Sequence, residues 1–258
     1  MVLIADSILA RSTRRRQTLT GWNTAFIGAN RYTLPPDEKP PADDALHPMA
    51  FLVEKGPGAV TRPHFHQTDQ FQVVVAGRGM LGDYEFSDGA VHYTDAYSAY
   101  GPIVAGKSGI WWFTLRNRWD PGARYMPAAR EVLNLNAARD RHQHWELTTE
   151  AIPAALLGEL SEATAISCLP VLEAEDGLAG WRYRMPPGTA IVGRAPERRR
   201  WSILAGAGGR RCGRWRRSVA RQFLHLRRPG GSRLCWRLRP CRRRIAVPAI
   251  PPPRAGLS

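Results

Sequence analysis

The 258-residue chain carries a formal net charge of +15 and is 43% hydrophobic, long enough for one large or two modest domains with real cores. No run approaches eighteen consecutive apolar residues, which excludes an ordinary transmembrane helix. The basic cluster Arg14-Arg15-Arg16 follows the apolar start of the chain instead of preceding it, the wrong order for a signal peptide, so the expected compartment is the cytoplasm.

Residues 1–21 read as a flexible basic arm. Residues 22–122 read as one β-domain. Trp22 to Pro35 is apolar and β-leaning, and Pro35-Pro36 with Pro40-Pro41 marks a loop. Strand-length pieces follow at Met49–Glu54, Phe71–Ala76, Met80–Phe86, Val91–Tyr93 and Ile110–Leu115. Gly56-Pro57-Gly58 and Gly77-Arg78-Gly79 are expected turns between them. Short strands this close together predict an all-β antiparallel sandwich or barrel, not βαβ units.

After Asp120-Pro121-Gly122 the text changes. Residues 123–165 read as a partly helical connector, with Pro127 in a helix first turn and an Ala/Leu/Glu-rich stretch from Ala154 to Ala163. Residues 166–205 return to strand-like text and predict a partial second β-domain. From Arg198 onward there are 18 of the chain's 37 basic residues, all arginine, and no acidic residue at all. The body before it is therefore slightly acidic, and the positive charge belongs to the tail. An arginine arm of this kind contacts phosphates, which makes nucleic-acid binding a third functional reading. Its lack of lysine and its Arg/Gly/Pro/Cys/Trp composition instead fit GC-rich DNA read out of frame, so residues 206–258 are expected to be irregular and nucleic acid is not the expected partner. Cys168 is the one cysteine in the body, which implies neither a disulfide framework nor a zinc site.

The chemistry concentrates between Gly58 and Gly77. Alternate side chains of a strand share a face, so His64 and His66 point one way and Phe65 the other. Pro63 holds Arg62 extended, as a strand entrance requires. A bend at Gln67–Asp69 then brings back the next strand, which aims Gln70 at the two imidazoles with Gln72 further along the same face. Two imidazoles and an oxygen donor suit Fe, Mn, Ni, Cu or Zn. In Ile110–Leu115, Trp111 and Phe113 share one face and Trp112 takes the other. Arg116 ends that strand with a guanidinium fork able to clamp a carboxylate. His142 and His144 repeat the His-x-His spacing without strand-like neighbours and read as exposed polar residues.

The spacing of glycine, five residues, His64-x-His66, three residues, Gln70, six residues and glycine resembles the first motif of the cupin superfamily, with glutamine where that family has glutamate. The resemblance implies a jelly-roll barrel and extends to a two-cupin chain whose second domain, at residues 166–205, is degenerate. The family's second motif holds a glycine, a proline–glycine turn and a histidine that completes the metal site. Here Thr94-Asp95 and Tyr100-Gly101-Pro102 are set on the glycine and the turn, and no histidine follows until well past the barrel. The resemblance implies a small-molecule enzyme, dioxygenase- or isomerase-like, with one divalent transition metal on His64, His66 and Gln70. Tyr97 and Tyr100 are the expected proton-transfer residues, and Gln72, Trp112 and Arg116 the expected substrate contacts. The alternative is a metal-free barrel that binds or senses a small molecule without catalysis. Cupins pair through their sheets, so a homodimer is a further expectation, and no membrane partner is expected.

Overall fold

The computed structural model describes residues 5, 7–42, 45–136, 146–152, 164–174, 178–185, 202–208 and 221–227. The second His-x-His at 142–144 and the Ala154–Ala163 stretch lie outside these. The chain begins with helix α1 (Ser7–Thr13) and strand β1 (Arg15–Thr18). The body runs through β2 (Gly21–Ile27), β3 (Leu46–Lys55), β4 (Val60–Thr61), β5 (His64–Phe65), β6 (Gln70–Leu81), β7 (Tyr84–Ser87), β8 (Val91–Thr94) and β9 (Ile103–Arg118). Next come β10 (Arg124–Tyr125), helix α2 (Arg130–Asn136) and β11 (Glu146–Thr148). The last described elements are β12 (Ser167–Glu173), β13 (Ala179–Met185), β14 (Ser202–Gly208) and β15 (Arg221–Arg227).

The main sheet has the order β1-β2-β3-β9-β6-β8-β11, with β4 also on β9 and β7 also on β6. Every pairing in it is antiparallel. β5 pairs separately with β10. The expected all-β class and antiparallel architecture are what the chain adopts. Within residues 1–21, α1 packs beside β2, and β1 adds an edge strand to the sheet with Arg15 opposite Thr24. Arg15 and Arg11 reach across to the buried Glu54 carboxylate, at 3.1 and 3.3 Å.

The stretch Gly77-Arg78-Gly79 is not a turn. β6 continues through it for twelve residues, and β9 likewise passes through Gly106 and Gly109 for sixteen. The glycines absorb register shifts in the pairing of the two strands. Gly77 has φ 76°, and a Cβ there would lie 2.3 Å from the Gly109 carbonyl oxygen. A backbone atom cannot be moved aside, so only glycine fits. We expect Gly77→Ala to cost about 2 kcal/mol or more. Gly58→Ala, with a similar φ of 68° but open space around it, should cost only about 1 kcal/mol. Urea denaturation of both variants checks the difference.

The two larger of three apolar clusters fill most of the body. One gathers Phe71, Val73, Val91, Tyr93, Leu115 and Leu178. The other gathers Val74, Leu81, Phe86, Tyr100, Ile103, Ile110 and Trp112. β12 to β15 form a four-stranded antiparallel sheet in the order β12-β13-β15-β14. Leu178, fully buried, with Val171 and Leu172 beside it, carries this part onto the first cluster. The region expected to be irregular contains the end of β14 and all of β15, which is paired along its length with β13 and β14. Among the described residues no helix is long and apolar enough to cross a membrane.

Candidate functional site

Alternation places one set of polar side chains on a single face. On β6 these are Gln70 and Gln72. On β8 they are Thr94, opposite Gln70, and His92, opposite Gln72. On β9 they are Arg116, opposite Gln70, Thr114, opposite Gln72, and Trp112, opposite Val74. All of these are at most 5% exposed. A polar wall this deep has to satisfy itself internally or hold something.

β5 brings His64 and His66 to the same region, with their rings 5.2 Å apart. The backbone bonds between His64 and Tyr100 pin the chain segment after β8 against β5. As a result the Tyr100 ring lies 4.5 Å from that of His64, 4.8 Å from that of His92 and 6.5 Å from that of His66. The turn that delivers Tyr100 sits earlier than the motif comparison places it. Ser98 donates to the Asp95 carbonyl, and Tyr97 takes φ 60°, the left-handed conformation that favours glycine. Tyr100 therefore enters the cluster formed by His64, His66 and His92.

Proton positions follow from the partners. His64 Nδ1 lies 2.8 Å from the Arg62 carbonyl, which only accepts, so that nitrogen carries the hydrogen. His66 Nδ1 donates in the same way to Asp120 Oδ1 at 2.8 Å. In both rings Nε2 keeps its lone pair. Burial first, then neighbouring His66 and Arg116, push the His64 imidazole down to about 3. Burial and then Arg116 lower His66, against the opposing pull of Asp120. Both rings are neutral at ordinary pH.

Arg116 spends its fork inside the protein. Nε and Nη2 donate to Gln70 Oε1 at 3.0 and 2.7 Å, and Nη1 meets Asp120 Oδ1 at 2.9 Å. Asp120 also accepts from the backbone N–H groups of Gln67 and Gly122. Burial pushes its carboxyl up, but Arg116, His66 and Gln67 outweigh that and hold it well below the usual carboxylate range. Since Gln70 Oε1 faces the guanidinium, its Nε2 must be the end that donates to the Tyr100 hydroxyl. Gln72 Nε2 donates to the same oxygen at 3.4 Å. Burial raises the Tyr100 phenol well above its ordinary value. The hydroxyl thus accepts from both amides and keeps a proton that it is oriented to give away.

This arrangement bears directly on a metal. The two histidines are held as metal-ligating histidines are, through Nδ1 with Nε2 left over. The other donors run against it. Gln70 Oε1 is taken by a permanent cation, and Tyr100 is a neutral hydroxyl. Among the described residues no group of three or more His, Cys, Asp or Glu is placed to hold a metal ion. With no anionic ligand and a guanidinium on the third donor, the residues present do not fit a divalent cation.

Of the residues expected from the sequence, His64, His66, Gln70, Gln72, Tyr100, Trp112 and Arg116 come together. Tyr97 does not. Its ring packs 5.9 Å from Phe65, on the side opposite His64 and His66. Two members were missed. His92 is not among the residues the motif spacing singles out, although its alternation with Tyr93 and its place beside β6 put it on the polar face. Asp120 reads in sequence as the first residue of an Asp-Pro-Gly turn, and nothing local reveals that its carboxylate reaches back to His66.

No protein-family model and no curated protein matches the chain. Among solved structures, a deletion mutant of oxalate decarboxylase from Bacillus subtilis is 9% identical with a TM-score of 0.42, covering 91% of this chain and 79% of that one. The same organism's enzyme at pH 4.6 is 11% identical with a TM-score of 0.41, covering 90% and 72%. A further structure of it, described through its Mn(II) centers, is 11% identical with a TM-score of 0.40 and the same coverage. Likeness of this order reaches neither activity nor metal. The antiparallel strand order makes this an all-β fold, with β5 set against the Tyr100 segment.

Proposed function

We propose that the interior of the cupin-like domain is a metal-free site for a small organic molecule, held by hydrogen bonds. The observation that carries this reading is the relay from Arg116 through Gln70 to Tyr100, which uses up the expected metal oxygen and leaves a hydroxyl proton presented beside neutral imidazoles. The ligand receives that proton from Tyr100 and meets lone pairs at His64 and His66 Nε2. The same parts supply acid–base chemistry. His66, steadied by Asp120, is the base, and Tyr100 is the hydrogen-bond donor to a developing negative charge. Whether a bond is made depends on the ligand.

The test has two arms. Metal analysis of the purified protein should find no stoichiometric transition metal, and metal that is stoichiometric and lost on His64→Ala overturns the reading. A thermal-shift screen with neutral and charged small molecules should find ligands whose binding weakens about tenfold or more in Tyr100→Phe, which deletes one hydrogen bond without changing the ring. A screen in which Tyr100→Phe behaves as wild type also overturns it. The reading of residues 206–258 as out-of-frame text belongs with this proposal and is decided by the coding DNA. Stop codons in the alternative frame after residue 206 would end it.

A further inference from the structure

Three buried polar atoms on the face described above have no hydrogen-bond partner: His92 Nε2, Gln72 Oε1 and Trp112 Nε1. They belong to one locality. Gln72 stands opposite His92 in the strand register, and Trp112 stands opposite Val74, two positions further along β6. The Phe86 ring lies 6.4 Å from His92 and 6.5 Å from Trp112, so both border the same side chain. His92 is fully buried, and Gln72 and Trp112 are each 3% exposed. Orphaned groups of this kind are rare in folded proteins, and three on one wall call for a partner that satisfies them together.

Their polarity can be assigned. His92 Nδ1 lies 3.0 Å from Thr148 Oγ1 and 3.8 Å from the Glu146 carboxylate. The carboxylate favours the hydrogen on that nitrogen, so we place it there and leave Nε2 an acceptor. Gln72 donates its amide to Tyr100, so Oε1 is an acceptor too. Trp112 Nε1 only donates. Together with His64 and His66, the interior offers four acceptors and two donors, the latter being Trp112 N–H and Tyr100 O–H. It offers no cation to an incoming anion, because Arg116 is committed to Gln70 and Asp120.

We infer that His92, Gln72 and Trp112 form a subsite for a hydroxyl group, and that the ligand of this domain is an uncharged small molecule with two or more hydroxyls rather than a carboxylate. A hydroxyl gives its proton to His92 Nε2 or Gln72 Oε1 and accepts from Trp112 N–H, which satisfies groups the protein leaves bare. A second hydroxyl of the same molecule meets His64 or His66. A carboxylate brings only acceptors to a wall made mostly of acceptors and finds no free charge. The inference rests on the metal-free reading of the site and specifies its ligand.

The experiment compares linear C3–C6 polyols with C3–C6 dicarboxylates on the full chain, by thermal shift and ligand-observed NMR, in wild type, Trp112→Phe and Tyr100→Phe. Trp112→Phe removes the N–H and keeps an aromatic ring in the core, and far-UV circular dichroism of the variant checks that it folds. The expected result is polyol binding that weakens about tenfold in each variant, with no dicarboxylate binding. Dicarboxylate binding that is lost in Tyr100→Phe sinks the ligand class and leaves the site reading standing. Polyol binding lost in Tyr100→Phe but intact in Trp112→Phe sinks the subsite alone. Polyol binding indifferent to both variants sinks both. Binding of neither series, or a crystal soaked in polyol that shows only ordered water between Trp112 and His92, overturns the ligand class.

Discussion

Asp120→Ala should destabilise the protein by about 3–5 kcal/mol, the usual cost of removing one partner from a buried charge pair. Asp120 is 1% exposed and accepts from Arg116, His66, Gln67 and Gly122. Its loss leaves a guanidinium that is only 5% exposed without its counter-charge. Asp120→Asn keeps an oxygen acceptor but not the charge and should fall between wild type and alanine. Combining Asp120→Ala with Arg116→Met should cost less than the sum of the two single changes, because the stranded charge is gone. Urea unfolding of the four proteins measures this. Additive costs would mean that the two side chains do not act as a pair, and the relay through Gln70 would lose its anchor.

The second large effect is in acid. Burial holds both His64 and His92 at about 3 in the folded protein, against an ordinary 6.5. Between those values the unfolded chain takes up protons that the folded chain refuses. The stability these neutral rings contribute is therefore complete above about pH 6.5 and is lost as the pH falls toward 3. Each ring adds a slope of up to about 1.4 kcal/mol per pH unit, so the pair reaches about 2.7. Asp120, held low by Arg116 and His66, adds loss only at the acid end. Denaturant unfolding from pH 7.5 to 4 measures the slope. His92→Gln should remove one ring's share, and an unchanged slope in that variant would mean His92 is not a buried neutral group.

The strands were legible because their cause is local. His64 and His66 flank Phe65 with the two-residue period of a strand, and the same period separates Trp111 from Trp112. Burial follows it, since Trp112 is 3% and Trp111 38% exposed. Glycine was the weak point. In Gly77-Arg78-Gly79 a residue that permits a turn serves a bulge instead, and the choice is made by β9 paired alongside, a neighbour absent from the local text. Tyr97 failed for a related reason. Its left-handed φ marks it as part of the turn, so its ring goes to Phe65 while Tyr100, three residues on, goes to the histidines.

The chain by itself determined an antiparallel β protein and a strand face bearing His64, His66, Gln70 and Gln72, because side-chain alternation needs nothing beyond the backbone. Only the tertiary structure decided what that face is for. It brought Arg116 onto Gln70, Asp120 onto His66 and Tyr100 into the middle, from positions 30 to 54 residues away in the chain. Hydrogen-bond polarity passes through space, and once the guanidinium claims the Gln70 oxygen, the donors and acceptors around it are set.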